Sequence, residues 1–541
     1  MPPRLLPYGE DGVLVELADL AAVRALDAVL RADLPSGVVD VVPAARTVLV
    51  RGDRRRRAAW VGDVADAVLR AATPSAARGR VVEVPVVYDG QDLGDVADAV
   101  GLSVEEVVAR HLAGGPDGYR VAFGGFAPGF AYLVGLDPRL HVPRLATPRT
   151  RVPAGAVAVA GEFTAVYPAA SPGGWRLLGT TSMTMFDPTR DRADAARLAP
   201  GDVVRFARGR ASAVGAGPGA PATSTSTTGA TAPTRAHGDL TVVASGTLLL
   251  IEDLGRPGLA DVGVPRSGAA DPDASRRANR LVGNRADAAV LEVLLGGLVL
   301  RCDMTTAVAL TGARVDADVD GAAVPHGAAV RVPAGATLRL GQPRAGLRTW
   351  VAVRGGVDVP AVLGSRSADV LSGLGPPVVR AGDVLPLGWD VDGFPEVTTG
   401  TGVTEPVTDP AGAAGPHDVV ALPASDGPRL DHLDAAGRDR LWATVWEVSS
   451  ASNRVAVRMV GVPLTRAVSE ELASEGLVAG AVQVPHDGQP VLFGADHPVT
   501  GGYPVVAVLT REGRARAAQL RPGDRVRLER QGDGAVPRRR P

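Results

Sequence analysis

The sequence predicts a mainly β protein with α+β parts: a small N-terminal α+β domain, a middle β-rich domain, and two related β-barrel or sandwich domains. Three observations carry this reading. Short Val-rich runs separated by Gly and Pro dominate from residue 81 onward. The stretch ASAVGAGPGAPATSTSTTGATAPTRAH, residues 211–237, has almost no large apolar side chain and divides the 541-residue chain in two. Four landmarks then recur across the two halves in the same order at nearly one offset.

In the N-terminal unit (1–80), apolar residues at helical spacing from about 19 to 31 lie between the strand-like runs GVLVEL and TVLVRG. The run RRRR at 54–57 leads into AAWVGDVADAVLRAA and reads as a solvated helix face. The first β-domain (81–210) closes with PGDVVRF, a turn feeding a strand. After the linker, 211–237, expected to be disordered, the middle domain (238–400) contains one clear helix in ADPDASRRANRLVGN. There Asp271 is the N-cap, Pro272 the first helical residue and Gly283 the terminator. A soft stretch at 398–418, taken as a flexible connection over 401–418, precedes the second β-domain (419–530) and a flexible tail (531–541). The landmark pairs are Gly135 with Gly461 (offset 326), Gly155 with Gly480 (325), Gly173-Gly174-Trp175 with Gly501-Gly502-Tyr503 (328), and the two PGD turns (322).

Composition excludes several functions. The 57 basic and 59 acidic residues give a net charge of −2, which offers no reason to expect a nucleic-acid or membrane partner. No apolar run reaches the ~20 residues that span a bilayer, and MPPRLLPYGEDG lacks a signal-peptide core, so the expected location is the cytoplasm. All 57 basic residues are arginine. A Walker-type phosphate loop, a Schiff base and a biotinyl-lysine are therefore impossible on this chain. The single Cys302 reads as a buried thiol, and the eight histidines form no His-Glu-x-x-His or Cys/His metal pattern.

Candidate site residues are polar groups beside the recurrent glycine turns. In the first β-domain they are Arg149 and Arg151, Glu162 and Thr164, and the SPGGW turn with Gly173, Gly174 and Trp175. In the second they are Ser452, Asn453, Arg454 and Arg458, Gln483, Asp496 with His497, and Thr500, Gly501, Gly502 and Tyr503. Arginine offers a planar fork suited to carboxylates and phosphates, and Asn or Gln can position an amide. FGGFAPGF at 123–130 reads as a barrel-edge loop in preference to a phosphate cradle. The middle region adds LLIEDLGRPGLADVGVPRSGAAD, VAVRGGVDV and LGSRSAD, turns that could face a cleft.

Together these motifs resemble a known family. GFAPGFAYLVGLDPRLHVPRLATPRTRVPAGAVAVAGEFTAVYPAASPGGWRLLGTT resembles the B subunit of 5-oxoprolinase, also described as a Kip-type inhibitor or allophanate-hydrolase subunit 1 domain. IEDLGRPGLADVGVPRSGAADPDASRRANRLVGN, LGSRSAD, SNRVAVRM, SEGLVAGAVQVPHDGQPVLFGADHPVTGGYP and AQLRPGDRV resemble the C subunit, of a biotin-dependent-carboxyltransferase-like or allophanate-hydrolase subunit 2 family. The chain thus reads as a B and C fusion. The resemblance implies cyclophilin-like barrels and ATP- and Mg2+-dependent opening of the 5-oxoproline lactam to glutamate with a separate 5-oxoprolinase A subunit, without covalent biotin. It implies Arg149 and Arg454 as anion-binding groups, Glu162 and Asp496 as polarising or metal-orienting carboxylates, and Asn453 and Gln483 as amide-positioning groups, with Trp175 and Tyr503 at a pocket rim. Glu252 stands where the C subunit usually has Gln, Val455-Ala456-Val457 replaces Met-Gly-Tyr, and Val499 replaces a usual Thr. Two alternatives remain: a carboxyltransferase-like module acting on a urea-derived or other amide, and a non-enzymatic Kip-type regulator binding a histidine kinase. Homo-oligomerisation is left open.

Overall fold

A computed structural model of the chain describes residues 2–71, 79–115, 118–209, 238–395, 418–468, 470 and 472–531. The linker at 211–237 lies outside these residues, as do nearly all of the soft stretch at 398–418 and of the tail at 531–541. The protein is mainly β, with one closed barrel, one nearly closed barrel and a small N-terminal α+β unit. No helix among the described residues is long and apolar enough to cross a membrane.

The N-terminal unit is a four-stranded antiparallel sheet ordered Arg4–Tyr8, Gly12–Glu16, Thr47–Gly52, Val38–Pro43, with helices Leu20–Ala32 and Arg57–Arg70. Asp19 caps the first helix by accepting from Ala22 N. The strands read as unbroken apolar runs because both sheet faces are buried. Val13, Val15, Val48 and Val50 meet Leu26, Leu30, Trp60 and Val64 of the helices. The alternate residues Tyr8, Leu14, Val42 and Leu49 meet Leu477, Val478, Val499 and Val505 of the C-terminal barrel. Strand periodicity therefore docks this unit onto a domain more than 400 residues away in sequence.

The two barrels share one topology. The first runs Arg176–Thr180, Ala156–Ala160, Phe163–Val166, Ala131–Val134, Tyr119–Gly124, Val203–Arg208, Val81–Val86. The second, closed, runs Val505–Leu509, Ala481–Gln483, Val491–Phe493, Ala456–Val460, Trp446–Val448, Arg525–Arg530, Val419–Asp426. In each, the first strand of the domain pairs in parallel with the last, and the PGD turn feeds that last strand. Two 2.8 Å bonds between the backbones of Val87 and Thr180 bring the first barrel's ends together. Between its first two strands that barrel also carries helices Leu93–Val100 and Val104–Ala113, which the sequence reading does not single out.

The middle unit is a sandwich of a six-stranded and a five-stranded sheet around a core that includes Leu249, Leu291, Leu300, Leu310 and Val351. Helix Pro272–Leu281 lies on the outer face of the five-stranded sheet, Ala274 and Ala278 against Trp350 and Ala352. Asp271 caps it through Asp273 N and Ala274 N, and Gly283 follows with φ +70, as expected from the sequence.

Candidate functional site

Where the N-terminal sheet, the middle sandwich and the C-terminal barrel meet, they line a chamber of about 600 Å³. The N-terminal unit contributes Glu10, Asp11, Arg51 and Arg54 from the ends of its strands. The sandwich contributes Arg266, Ser267 and the first turn of helix Pro272–Leu281. The barrel contributes the loop holding Ser452, Asn453 and Arg454, together with His497. No single unit would form this space.

A buried ion cluster forms part of the chamber wall. Arg454 donates from Nε to Asp496 at 2.8 Å, from Nη1 to Glu292 at 2.5 Å, and from Nη2 to the Gly268 carbonyl, with Glu252 3.1 Å away. Asp496 also accepts from Ser267 Oγ at 2.5 Å and from Val370 N at 3.0 Å. Glu292 accepts from Trp350 Nε1 and Ala270 N and faces Arg348 at 3.3 Å. Burial works against the Glu292 carboxylate, but Arg454 and Arg348 outweigh it and hold its pKa below the usual range. Glu252 goes the other way: burial and three neighbouring carboxylates raise it well above 4.5, against the pull of Arg454. Ser267, at φ +53, takes a backbone conformation rare for a residue with a Cβ, and its hydroxyl ties the sandwich to the barrel through Asp496.

The candidates named from the sequence separate into two groups. Ser452, Asn453 and Arg454 line the chamber, and Asp496 sits directly behind it. Arg454 is saturated by carboxylates and a carbonyl, so its geometry is that of an anchor, where the sequence predicts an anion receptor. Arg458 is exposed and bonds through its backbone N to Ser452 Oγ. Gln483 is buried and donates to the Tyr503 carbonyl at 2.8 Å, beside Gly501, where a Cβ would come within 2.9 Å of its Nε2. Thr500 Oγ1 accepts from Phe126 N at 3.0 Å, joining the two barrels. Gly502 follows in the same turn, and Tyr503 is 39% exposed with an edge contact to His486.

The first-barrel candidates do not reach the chamber. Arg149 pairs with Asp92 at 2.6 Å, Arg151 and Glu162 are exposed, and Thr164 is a core hydroxyl bonded to the Ala158 carbonyl. Trp175 corrects the pocket-rim expectation: it is 5% exposed and packs edge-on against Phe130 and Tyr132 on the outer face of its barrel, in a cluster that takes in Ala45 of the N-terminal unit. Gly173 is required because a Cβ there would fall 2.3 Å from the Tyr167 hydroxyl, and Gly174 continues that turn. Sequence reasoning does not select Arg266, and it names His497 only as the neighbour of Asp496. Their motifs, VPRSG and GADHP, are visible, but nothing local says that both side chains enter one space.

Comparison with known proteins follows the same division. A carboxyltransferase domain family profile for subdomains C and D matches residues 3–196, and one for subdomains A and B matches 262–530. The chain is 36% identical over 290 residues to the 5-oxoprolinase C subunit of Escherichia coli (strain K12), an alignment covering 52% of this chain and 87% of that relative. It is 51% identical over 130 residues to the 5-oxoprolinase B subunit of Escherichia coli O157:H7, covering 24% of this chain and 57% of that relative, little more than half its length. The crystal structure of TTHA0988 superposes with a TM-score of 0.80 at 34% identity, covering 96% of this chain and 99% of the other.

Proposed function

The chain belongs to the carboxyltransferase domain family, joining units of the 5-oxoprolinase B and C kinds in one polypeptide, and from that premise we propose that it is a component of an ATP-dependent 5-oxoprolinase. With a separate A subunit it would open the lactam of 5-oxoproline to L-glutamate. The observation that supports this reading is the chamber, whose walls come from both the B-like and the C-like halves. A lactam is a poor electrophile, so its opening needs an activated carbonyl and a held water. A recessed, arginine-lined space suits a small anionic substrate whose charge grows during reaction.

The chain's own residues do not fit a Mg2+–nucleotide site. Among the described residues no three His, Cys, Asp or Glu group as metal ligands, and the carboxylates at the chamber are engaged by arginines or backbone. ATP activation therefore falls to the separate A subunit in this proposal, and this chain holds the lactam. Arg454 and Asp496 act as positioning residues: their ion cluster fixes Ser267 and the Ser452–Asn453 loop at the chamber wall. Of the candidates named from the sequence, Ser452 and Asn453 are the groups placed to meet a ligand.

The test is direct. The full chain, its cognate A subunit, 5-oxoproline, ATP and Mg2+ are combined and glutamate and ADP are measured; formation of both only in the mixture is expected. No glutamate above either component alone, with both proteins folded, overturns the proposal. The carboxyltransferase description of the matching profiles favours one alternative, carboxyl transfer to an amide from biotin carried on another polypeptide. A strict biotin requirement in the same assay would select it.

A further inference from the structure

Arg266 differs from the other guanidiniums of the chamber. Arg51 is paired with Asp11 at 3.1 Å, Arg54 with Glu10 at 3.0 Å, Arg276 with Asp273 at 3.2 Å, and Arg511 with Asp273 as well. Arg266 makes one long bond, from Nε to the Leu254 carbonyl at 3.4 Å. Among the described residues its two terminal nitrogens have no acceptor. Burial lowers its pKa, and Arg51 and Arg276 lower it further, against the longer-range pull of Asp40 and Asp11. A mostly buried cation with no carboxylate in direct contact is costly to keep, and an anionic ligand reduces that cost.

His497 supplies the complementary feature. Its Nδ1 lies 2.8 Å from the Pro498 carbonyl, which can only accept, so Nδ1 carries the proton and Nε2 of the neutral ring is a bare acceptor. Burial holds the ring neutral, with its pKa lowered to about 4. Nε2 has no hydrogen-bond partner among the described residues. Arg266 and His497 both line the large chamber and also a small adjoining void of about 20 Å³, so they stand together in the partition between the two spaces.

We propose that Arg266 and His497 form a recognition site for a small carboxylate that bears an amide or lactam N–H, the Arg266 fork binding the carboxylate and His497 Nε2 accepting the N–H. This rests on the reading of the chamber as the lactam site, and it adds how that lactam is recognised. The pair selects by charge and by donor. A phosphate monoester dianion would satisfy Arg266 but set an acceptor oxygen against the His497 lone pair, and a neutral amide would leave Arg266 unpaired. 5-Oxoproline carries one carboxylate and one N–H on adjacent positions of its ring and satisfies both.

The test varies the ligand before the protein. Isothermal titration of the full chain is run with 5-oxoproline, with 2-pyrrolidinone, which lacks the carboxylate, and with 5-oxotetrahydrofuran-2-carboxylate, in which oxygen replaces N–H. Each analogue is expected to bind at least about tenfold more weakly than 5-oxoproline, the scale of one charge-assisted or one buried hydrogen bond. Arg266→Met should reduce 5-oxoproline to the level of 2-pyrrolidinone, and His497→Phe should reduce it to the level of the lactone acid. Equal binding of 2-pyrrolidinone removes Arg266 from the site, and equal binding of the lactone acid removes His497. Absence of saturable 5-oxoproline binding overturns the whole inference. Glutamate formation by the reconstituted enzyme at an unchanged KM in Arg266→Met would sink the recognition site and leave the proposed function standing. Selective binding without glutamate formation would do the reverse.

Discussion

His111 shows how a single buried residue sets a condition for the whole fold. It projects from helix Val104–Ala113 into the first barrel, 2.7 Å from the Tyr88 hydroxyl at Nδ1 and 3.0 Å from Thr164 Oγ1 at Nε2. Thr164 Oγ1 gives its own proton to the Ala158 carbonyl, so it accepts from Nε2, and the imidazole is neutral with Nδ1 accepting from tyrosine. Burial pushes its pKa down to about 3, and burial takes His326 to about 4. The unfolded chain takes up protons below about pH 6.5 that the folded chain refuses, so stability is lost as pH falls through that point toward 3. Melting temperatures measured from pH 7 to pH 4 should fall steeply in the native chain and less steeply in His111→Gln, although Gln lowers stability at pH 7 by about 1–3 kcal/mol through the broken Tyr88–Thr164 relay. A parallel decline in both would remove His111 as a source of acid lability. Glu252 gives the opposite sign. Its raised pKa means that ionisation is resisted in the fold, so it costs stability as pH rises above the unfolded value near 4.5. Glu252→Gln, which removes the charge and keeps the shape, is expected to stabilise by about 1–2 kcal/mol at pH 8 and by less at pH 5. An unchanged melting temperature at both pH values would show that Arg454 fully compensates Glu252. Sequence motifs do point to Arg454 and Asp496. They do not show that Glu252 and Glu292 close on Arg454 from another unit, because ion pairs between distant segments leave no local pattern.

Among the elements, the loop FGGFAPGF has the clearest structural role. Gly124 lies where a Cβ would come within 2.2 Å of the Asp261 carbonyl oxygen, and Gly125 where one would come within 2.5 Å of Thr500 Oγ1. Gly129 N donates to the Val262 carbonyl at 2.8 Å. The loop is thus wedged between the sandwich and the second barrel, and its glycines permit backbone contact that larger residues would hold apart. Gly125→Ala is expected to lose about 1–3 kcal/mol by overpacking and to raise amide exchange across 124–130 and around Thr500. Unchanged exchange in both segments would show that the barrels do not depend on this contact. The edge-loop reading from sequence is sound, and the physical reason lies in its partner surfaces. The barrel repeat is legible for a related reason. Gly155 and Gly480 recur because both turns need positive φ (+79 and +89), and Gly461 because a Cβ would strike the Trp446 ring at 2.7 Å. Trp175 misleads because a bulky ring after a glycine turn looks the same in sequence whether it faces a ligand or packs on a barrel's outer face against another unit.

At the scale of the molecule, the question is what holds the two halves together once the chain has joined them. The described contacts between them are numerous and of several kinds. Arg429 is bound by Glu475 of its own barrel and reaches Glu16 of the N-terminal sheet at 2.8 Å. Tyr8 donates to the Gly476 carbonyl at 3.0 Å, Gly258 N to Asp40 at 2.5 Å, and Arg31 meets Asp261 at 3.0 Å. The apolar face of Leu14, Val42 and Leu49 is covered only when the C-terminal barrel is in place. That is interface enough to persist without covalent linkage, in which case residues 211–237 raise the effective concentration of the halves without supplying binding energy. A site-specific protease sequence inserted within 211–237 tests this. After cleavage the two fragments should co-elute on gel filtration, and 5-oxoproline binding should match the intact chain. Salt should weaken the association only modestly, because the Arg429–Glu16 pair is buried, the more exposed Arg31–Asp261 pair contributes little, and the largest contact is apolar. Arg429→Met, which leaves the buried Glu475 without its counter-ion and beside Glu16, should let the cleaved fragments separate at low micromolar concentration while the uncleaved chain stays folded. Fragments that part on cleavage of the native chain would show that the linker is what keeps the chamber closed.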